Sequence, residues 1–395
     1  MGILIYGIVI LFGFGELLRF MTPFGVEVKP LDVLVLIVSG GFLITSYKQV
    51  YEAYYFKPLT LFLLAGLLGI ALNTYLEGNQ IIVALLYMIR FLSIVLLFPL
   101  IVSLSPIFKK RISRLMIAVG IVILVCGYIQ YVNYSDLRNL YYLGWDDHMY
   151  RMFSVFLDPN YAAAFFNFMF IGLMGLTFQA FTNKKKMLTI LFGLLSLAAI
   201  SAIFLTYSRS GLVMCVVSST IFFILVNRKK YVIPVLLSLI IATVFVSRFF
   251  YIENLNLFRT ASSAARITSA QEAIAIFSKS SFIGVGFNAY KYAQVYYGYR
   301  IEKNTEKSHA DAGTDNSFLF VLATTGVIGF SFYMWFWWTI FQRRYGNYMR
   351  TKNVIEAVMI AMILGVFIDS FFINSLFYSP ILISLMVMLG VTENT

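Results

Sequence analysis

The chain is short of charge and nearly devoid of cysteine, histidine and proline. Only 12% of its 395 residues are Asp, Glu, Lys or Arg, while 60% are hydrophobic; a soluble domain carries roughly 25% charge. With a mean hydropathy of +0.84, this balance excludes both a soluble globular domain and a disordered chain. The two cysteines, Cys126 and Cys215, fall in separate apolar runs, so neither a disulfide framework nor a cysteine-based metal site is available. The net charge of +12 is no sign of nucleic-acid binding, because the basic residues come in short clusters between apolar runs, the pattern of topology signals. No cationic segment precedes the first run and no small-residue cleavage site follows it, so it reads as a retained helix rather than a signal peptide. Internal repeats, low-complexity segments and the inverted pairs of broken helices that mark many transporters are not seen either.

What the chain does have is apolar runs, at about 2–20, 31–47, 58–76, 80–104, 112–132, 160–181, 187–206, 210–226, 231–250, 316–341, 353–369 and 376–391. A membrane helix needs about 20 residues. The expectation is an all-α polytopic membrane protein of about 12 transmembrane helices, residues 1–395 forming one integral domain. Basic clusters mark the even connections: Lys48 and Lys57; Lys109, Lys110, Arg111 and Arg114; Lys184 to Lys186; Arg228 to Lys230; Arg343, Arg344, Arg350 and Lys352. Cytoplasmic loops retain positive charge, so both termini are expected in the cytoplasm. The long connections 133–159 and 251–315 then lie outside, the second as a partly helical extracytoplasmic loop.

Ionisable residues at membrane depth are costly and therefore start as site candidates. Arg90 sits in mid-span, where it needs a carbonyl, an anion, or a carboxylate such as Glu16 or Glu77. Arg209 lies in Thr206-Tyr207-Ser208-Arg209-Ser210-Gly211, a polar island too short for anything but a tight turn. Two readings compete there: a helix cap with a snorkelling arginine, or an anion site of hydroxyls, free N–H groups and a guanidinium fork. Residues 264–280 have Ile267, Ala270, Ile274 and Phe277 at helical spacing, with Arg266 elsewhere on the surface, which reads as an amphipathic helix. Gly284-Val285-Gly286 reads as a turn, since no βαβ unit surrounds it. Asp158, before Pro159-Asn160, and Asp315, before Asn316, both have the position of an N-cap. Asp146-Asp147-His148 offers ligand types for a divalent cation, yet three adjacent loop residues are a weak signal. Tyr141, Tyr142, Trp145, Tyr150, Tyr292, Tyr296, Tyr297 and Tyr299 fit either sugar stacking or an interfacial aromatic belt.

Asp158-Pro159-Asn160-Tyr161, Tyr207-Ser208-Arg209-Ser210-Gly211-Leu212, Gly284-Val285-Gly286 and Asp315-Asn316-Ser317-Phe318, followed by Thr325-Gly326-Val327-Ile328-Gly329, resemble in order and spacing the bacterial O-antigen ligase and polysaccharide polymerase superfamily. The resemblance covers roughly residues 150–330. It implies a GT-C-like membrane glycosyltransferase in the bacterial cytoplasmic membrane, acting on its outer face without a metal ion or other cofactor. The implied partners are a polyprenyl-diphosphate-linked oligosaccharide, membrane lipid and a chain-length regulator, with no nucleic acid. Carried over residue by residue, Arg209 and Arg266 are the catalytic arginines and Arg151 the arginine ahead of the Pro-Asn motif; Arg151, Ser208, Ser210, Asn160 and Asn316 make up the expected substrate-binding set, to which Arg90 is added as an ionisable residue in mid-span. Ligases commonly have His-Asn where this chain has Asp315-Asn316, which favours polymerase and makes Asp315 the candidate base.

The chemistry agrees. A sugar diphosphate has a good leaving group that needs no proton, so transfer asks for cations at the departing phosphate and one base for the acceptor hydroxyl. The rival readings are a ligase, a flippase or other transporter, and a shape-determining peptidoglycan polymerase. Charge concentrated in outer loops opposes the transporter, and eight prolines are few for the Pro- and Gly-rich loop of the last. The topology is tested with an impermeant thiol reagent on intact cells. Lys184→Cys and Lys229→Cys are expected to be protected and Arg300→Cys labelled; the reverse pattern overturns the orientation.

Overall fold

Prolines and small polar residues punctuate the apolar runs. Pro30, Pro106 and Pro159 open helices, where a missing N–H costs nothing. Asp158, Ser208, Asn316 and Asn353 cap helix starts with side-chain oxygens. The computed structural model describes residues 2–21, 27–135, 149–228, 230, 232–233, 237, 261–300 and 313–393. The helices are α1 (Gly2–Phe12), α2 (Pro30–Thr45), α3 (Tyr47–Tyr51), α4 (Phe56–Leu72), α5 (Gly78–Val95), α6 (Leu97–Val102), α7 (Pro106–Asn133) and α8 (Pro159–Thr182), then α9 (Lys186–Leu205), α10 (Arg209–Leu225), α11 (Ala261–Lys279), α12 (Tyr290–Tyr296), α13 (Ser317–Thr351), α14 (Val354–Asp369) and α15 (Ser379–Thr392). Phe20–Met21 pairs with Glu27–Val28 as a two-residue antiparallel ladder.

Each expected span other than 231–250, most of which lies outside the described residues, coincides with a helix. Among the described residues five stretches are long and apolar enough to cross a membrane: Gly78–Val102, Pro106–Asn133, Pro159–Thr182, Lys186–Leu205 and Ser317–Thr351. The expected count of twelve is therefore not established. Gly2–Phe12 shows how a run falls short: the helix ends ahead of Gly13, and the chain turns through Gly15 so that Glu16 N donates to Val155 O at 2.8 Å. The outer surface of the bundle is apolar. On α9, Met187, Ile190, Leu194 and Leu197 are 60–85% exposed along one stripe, which water would not tolerate and lipid requires.

One membrane helix is broken. At Gly326 α13 leaves helical geometry (φ 64, ψ −173), which frees backbone groups that must find partners inside the protein. The turn after α11 supplies them: Val285 N donates to Ala323 O at 3.0 Å and Gly286 N to Thr324 O at 2.9 Å, while Val327 N reaches Ser281 O at 2.9 Å. The fit leaves no room for a side chain on either strand of the contact. A Cβ on Gly326 would stand 2.2 Å from Phe282 O, and one on Gly284 (φ 76) 2.4 Å from Thr325 N. The Gly-Val-Gly motif is thus a turn, as expected, and its glycines serve this junction with the Thr-Gly-Val-Ile-Gly motif.

At the opposite end of α13, Arg344 is fully buried. It pairs with Glu356 at 3.4 Å and Glu393 at 2.8 Å, while Lys109 Nζ donates to Glu393 O at 3.1 Å. This network ties α7, α13, α14 and the end of α15 together. The break predicts a sharp contrast within α13. Gly326→Ala forces a Cβ into a backbone geometry open essentially to glycine alone and should cost at least about 3 kcal/mol, read as loss of the monodisperse peak in size-exclusion thermal-shift assays. Gly346→Ala, with nothing within 4 Å of the new Cβ, should be neutral or stabilising.

Candidate functional site

Two helix starts lie side by side and are built alike. Asp158 Oδ1 accepts from Asn160 N at 2.6 Å and Tyr161 N at 3.3 Å at the head of α8. Ser208 Oγ accepts from Gly211 N at 3.3 Å at the head of α10. Each cap follows a non-glycine residue in the left-handed region, Leu157 (φ 55) and Tyr207 (φ 51), a conformation that costs about 1 kcal/mol or more and persists where surrounding structure enforces it. The two starts are then stitched together. Ser208 Oγ donates to Asn160 Oδ1 at 2.9 Å, and Asn167 Nδ2 donates to Gly211 O at 2.9 Å. Gly211 allows this approach, since a Cβ there would stand 2.4 Å from that of Ala163.

A third start and a helix end close the group. Asp369, the last residue of α14, is completely buried; its carboxyl interacts with the hydroxyl of Ser210 and accepts from Ser375 Oγ. At the head of α13, Asn316 Oδ1 accepts from Phe318 N at 2.9 Å and Leu319 N at 3.0 Å, and its Nδ2 donates to Phe371 O at 3.1 Å. Asn316 is therefore the cap, and the position offered by the sequence to Asp315 is not the one it takes. Asp315 stands one residue outside the helix, partly accessible, with its N–H 3.4 Å from Ser269 Oγ of α11. Ser317 N donates to Ser370 O at 2.9 Å, which binds the head of α13 to the end of α14.

Arg266 lies one turn before Ser269 on α11. Its charge acts on Asp158, on Asp369 and, as a like charge, on Arg209. Four carboxylates, those of Asp158, Asp315, Asp369 and Glu16, act on the Tyr161 phenol. The centre is therefore a compact set of two arginines among acids, with Arg209, Arg266, Asp158, Asn160, Tyr161 and Asp315 partly accessible above buried Ser208, Ser210 and Asp369. Arg151 is buried beneath, its Nε donating to Thr206 O at 2.8 Å and its charge acting on Asp158. Burial pushes the Asp158 carboxyl above the usual carboxylate range, opposed by the bonds from Asn160 and Tyr161 N–H and by the charges of Arg151 and Arg266.

One wall is aromatic. Tyr161 and Tyr378 stack with ring centroids 3.7 Å apart and planes 6° apart. Glu16, reached through the turn at Gly15, interacts with the Tyr378 hydroxyl and with buried Lys29. Arg90 belongs to the next link outward: it forms a two-pronged pair with Asp32, at 2.7 Å and 3.1 Å. Neither carboxylate weighed from sequence is its main partner, although its charge reaches Glu16.

Of the expected site residues, Arg209, Arg266, Asp315, Asn160, Ser208 and Ser210 are brought together. Arg151 lies below them, Asn316 is engaged at both ends of its amide as a cap, and Arg90 stands apart. Tyr296 stacks on Tyr75 at 4.6 Å, with Tyr297 edge-on. Asp146, Asp147, His148, Tyr141, Tyr142 and Trp145 lie outside the described residues. Among the described residues no three His, Cys, Asp or Glu side chains stand together so as to hold a metal ion. Sequence reasoning missed Asp369, Ser375 and the Tyr161–Tyr378 stack. Asp369 carried a usable signal, a lone carboxylate ending the apolar run 357–368.

Residues 194–334 match a protein-family model described as O-Antigen ligase. The match covers just over a third of the chain and contains the Ser-Arg-Ser-Gly turn, α11, the Gly-Val-Gly turn and the broken start of α13, so the resemblance to the O-antigen ligase and polymerase superfamily holds on those elements. The chain has no match among curated proteins.

The caps and the raised Asp158 acidity are testable together. Asp158→Asn keeps a capping oxygen and removes the carboxyl. Because the folded-state pKa lies above the unfolded one, the wild type should match this variant in acid and lose stability relative to it as pH rises above the ordinary carboxylate range. Thermal unfolding across pH checks the sign. Asn316→Ala should lose about 1 kcal/mol at any pH.

Proposed function

We propose that this protein is a polymerase that joins polyprenyl-diphosphate-linked oligosaccharide repeats into a cell-surface polysaccharide of the capsule or O-antigen type, on the outer face of the bacterial membrane. The observation that carries the reading is the placing of Arg209 and Arg266 within electrostatic reach of each other beside Asp158, Asp315 and Asp369. Two guanidinium groups held together in a partly dry site repel, and a diphosphate relieves that repulsion. The heads of α8 and α10 add the positive ends of two helix dipoles.

In the proposed reaction the acceptor sugar hydroxyl attacks the anomeric carbon of the donor. The carbon–oxygen bond to the diphosphate breaks as the new glycosidic bond forms. The electron pair stays on the departing diphosphate, where Arg209 and Arg266 neutralise it with fork-shaped contacts. The hydroxyl proton passes to Asp315, which stands just ahead of the Asn316 cap and is partly accessible. Asp369, locked by Ser375 and Ser210, fixes the floor on which Arg266 acts. Arg151 holds Asp158 from below. The tyrosine pair offers a flat face against which a sugar ring can stack.

A ligase is the second reading, favoured by the description of the matching family model; Asp315 in the place of the ligase histidine favours polymerase. Purified protein incubated with one defined lipid-diphosphate repeat should give a ladder of products. A single transfer to a second, different acceptor assigns a ligase, and no change in the glycan refutes both. Arg209→Ala and Arg266→Ala should each lower the rate about 10²–10³-fold, with Lys rescuing poorly because it lacks the fork. Asp315→Asn should lose about 10²-fold or more if its carboxylate is the base.

A further inference from the structure

The end of the bundle remote from these arginines contains an apolar cavity that the proposed chemistry does not use. It lies where α7, α8, α14 and α15 meet, and has a volume of about 150 Å³. Met116, Gly172, Leu176, Val358 and Met388 line it, with Ser113 at its polar edge. Gly172 leaves it open: a Cβ there would meet only Met362 Cε at 3.5 Å and Met388 Cε at 3.9 Å, ordinary contact distances. Along α8 the lining runs to Gln179, twenty residues past Pro159, so this end is about 30 Å from the Asp158 cap.

The rim is cationic. Lys110 and Arg114 are exposed on α7 and one helical turn apart, which makes them neighbours on one face. Each is also three residues ahead of a lining residue, Ser113 and Ile117 respectively, so both flank the mouth. Exposed Lys184 and Lys185 follow the end of α8, and exposed Lys352 precedes the lining residue Val354. An apolar hollow with cations at its mouth matches an amphiphile with an apolar chain and an anionic head. We infer that the cavity binds an anionic glycerophospholipid, one acyl chain entering between α7, α8, α14 and α15 and the phosphate resting on Lys110 and Arg114. The isoprenoid tail of a polyprenyl diphosphate is a poorer occupant, because its charge would be needed at Arg209 and Arg266 and not here.

The test is native mass spectrometry of the full chain, delipidated in detergent and offered phosphatidylglycerol or phosphatidylcholine with identical acyl chains. The expected result is one retained phosphatidylglycerol, bound about tenfold or more tightly than phosphatidylcholine. Gly172→Leu should abolish the adduct by filling the cavity. Lys110→Gln with Arg114→Gln, at exposed positions that do not threaten folding, should reduce phosphatidylglycerol to the phosphatidylcholine level, and this pair decides the matter if the Leu variant does not fold. Equal retention of the two lipids by the wild type, or undiminished phosphatidylglycerol in the double variant, overturns the inference. Preferential retention of a polyprenyl monophosphate, lost in Gly172→Leu, overturns it in favour of the isoprenoid tail.

Discussion

Inside an apolar layer a backbone N–H or C=O has no water to fall back on, and each one released by the end or break of a helix must be satisfied by the protein. That constraint organises this molecule. The break at Gly326 is answered by the turn 281–286. The starts of α8, α10 and α13 are answered by Asp158, Ser208 and Asn316. Because these three starts meet the end of α14, the polar groups demanded by the backbone gather in one place. The candidate site lies there because helix ends and the charges they tolerate share the same rim.

Charge then specialises that rim. A chain with so few ionisable residues has spent several of them on two clusters at opposite ends. The Arg344–Glu356–Glu393 network pairs its buried charges with opposite ones and extends to Arg343 and Lys109, holding four segments in register, the best-attested use of a buried ionic group. The Arg209–Arg266 group is of a different kind, since like charges stand together and acids surround them without closing them off from the surface. Two guanidinium groups at a partly accessible rim are what the proposed recognition of a diphosphate asks for.

Much of this was legible in the sequence. Apolar runs gave the helices, because burial in lipid leaves a period-independent signal of length and hydropathy. The candidate residues on either side of the long loop converge because caps and short turns are local chemistry, readable from Asp-Pro and Ser-x-x-Gly patterns. The length of individual spans was not legible: Gly13 and Gly15 end α1 early for the sake of a contact with Val155, 140 residues away in sequence. Asp315 has the place of a cap on paper, but the N–H groups of Phe318 and Leu319 bond to Asn316 Oδ1 instead, while Asn316 Nδ2 reaches Phe371 O, a contact only the fold supplies. Arg90 could not be paired from sequence for the same reason, its partner Asp32 being brought to it by the packing of α2 on α5. Asp369 escaped because a single carboxylate at the end of an apolar run acquires meaning only when Ser210, Ser375 and Arg266 are seen around it.

The central claim is that the arginines of α10 and α11 hold a diphosphate between them. The most direct measurement is a cryo-electron-microscopy structure of the full chain with a polyprenyl-diphosphate oligosaccharide bound. The account predicts phosphate oxygens within hydrogen-bonding distance, about 2.7–3.2 Å, of both Arg209 and Arg266, with the sugar running toward Asp315. Diphosphate density away from both guanidinium groups, at the basic end near Lys110 or along the outside of the bundle, would contradict it.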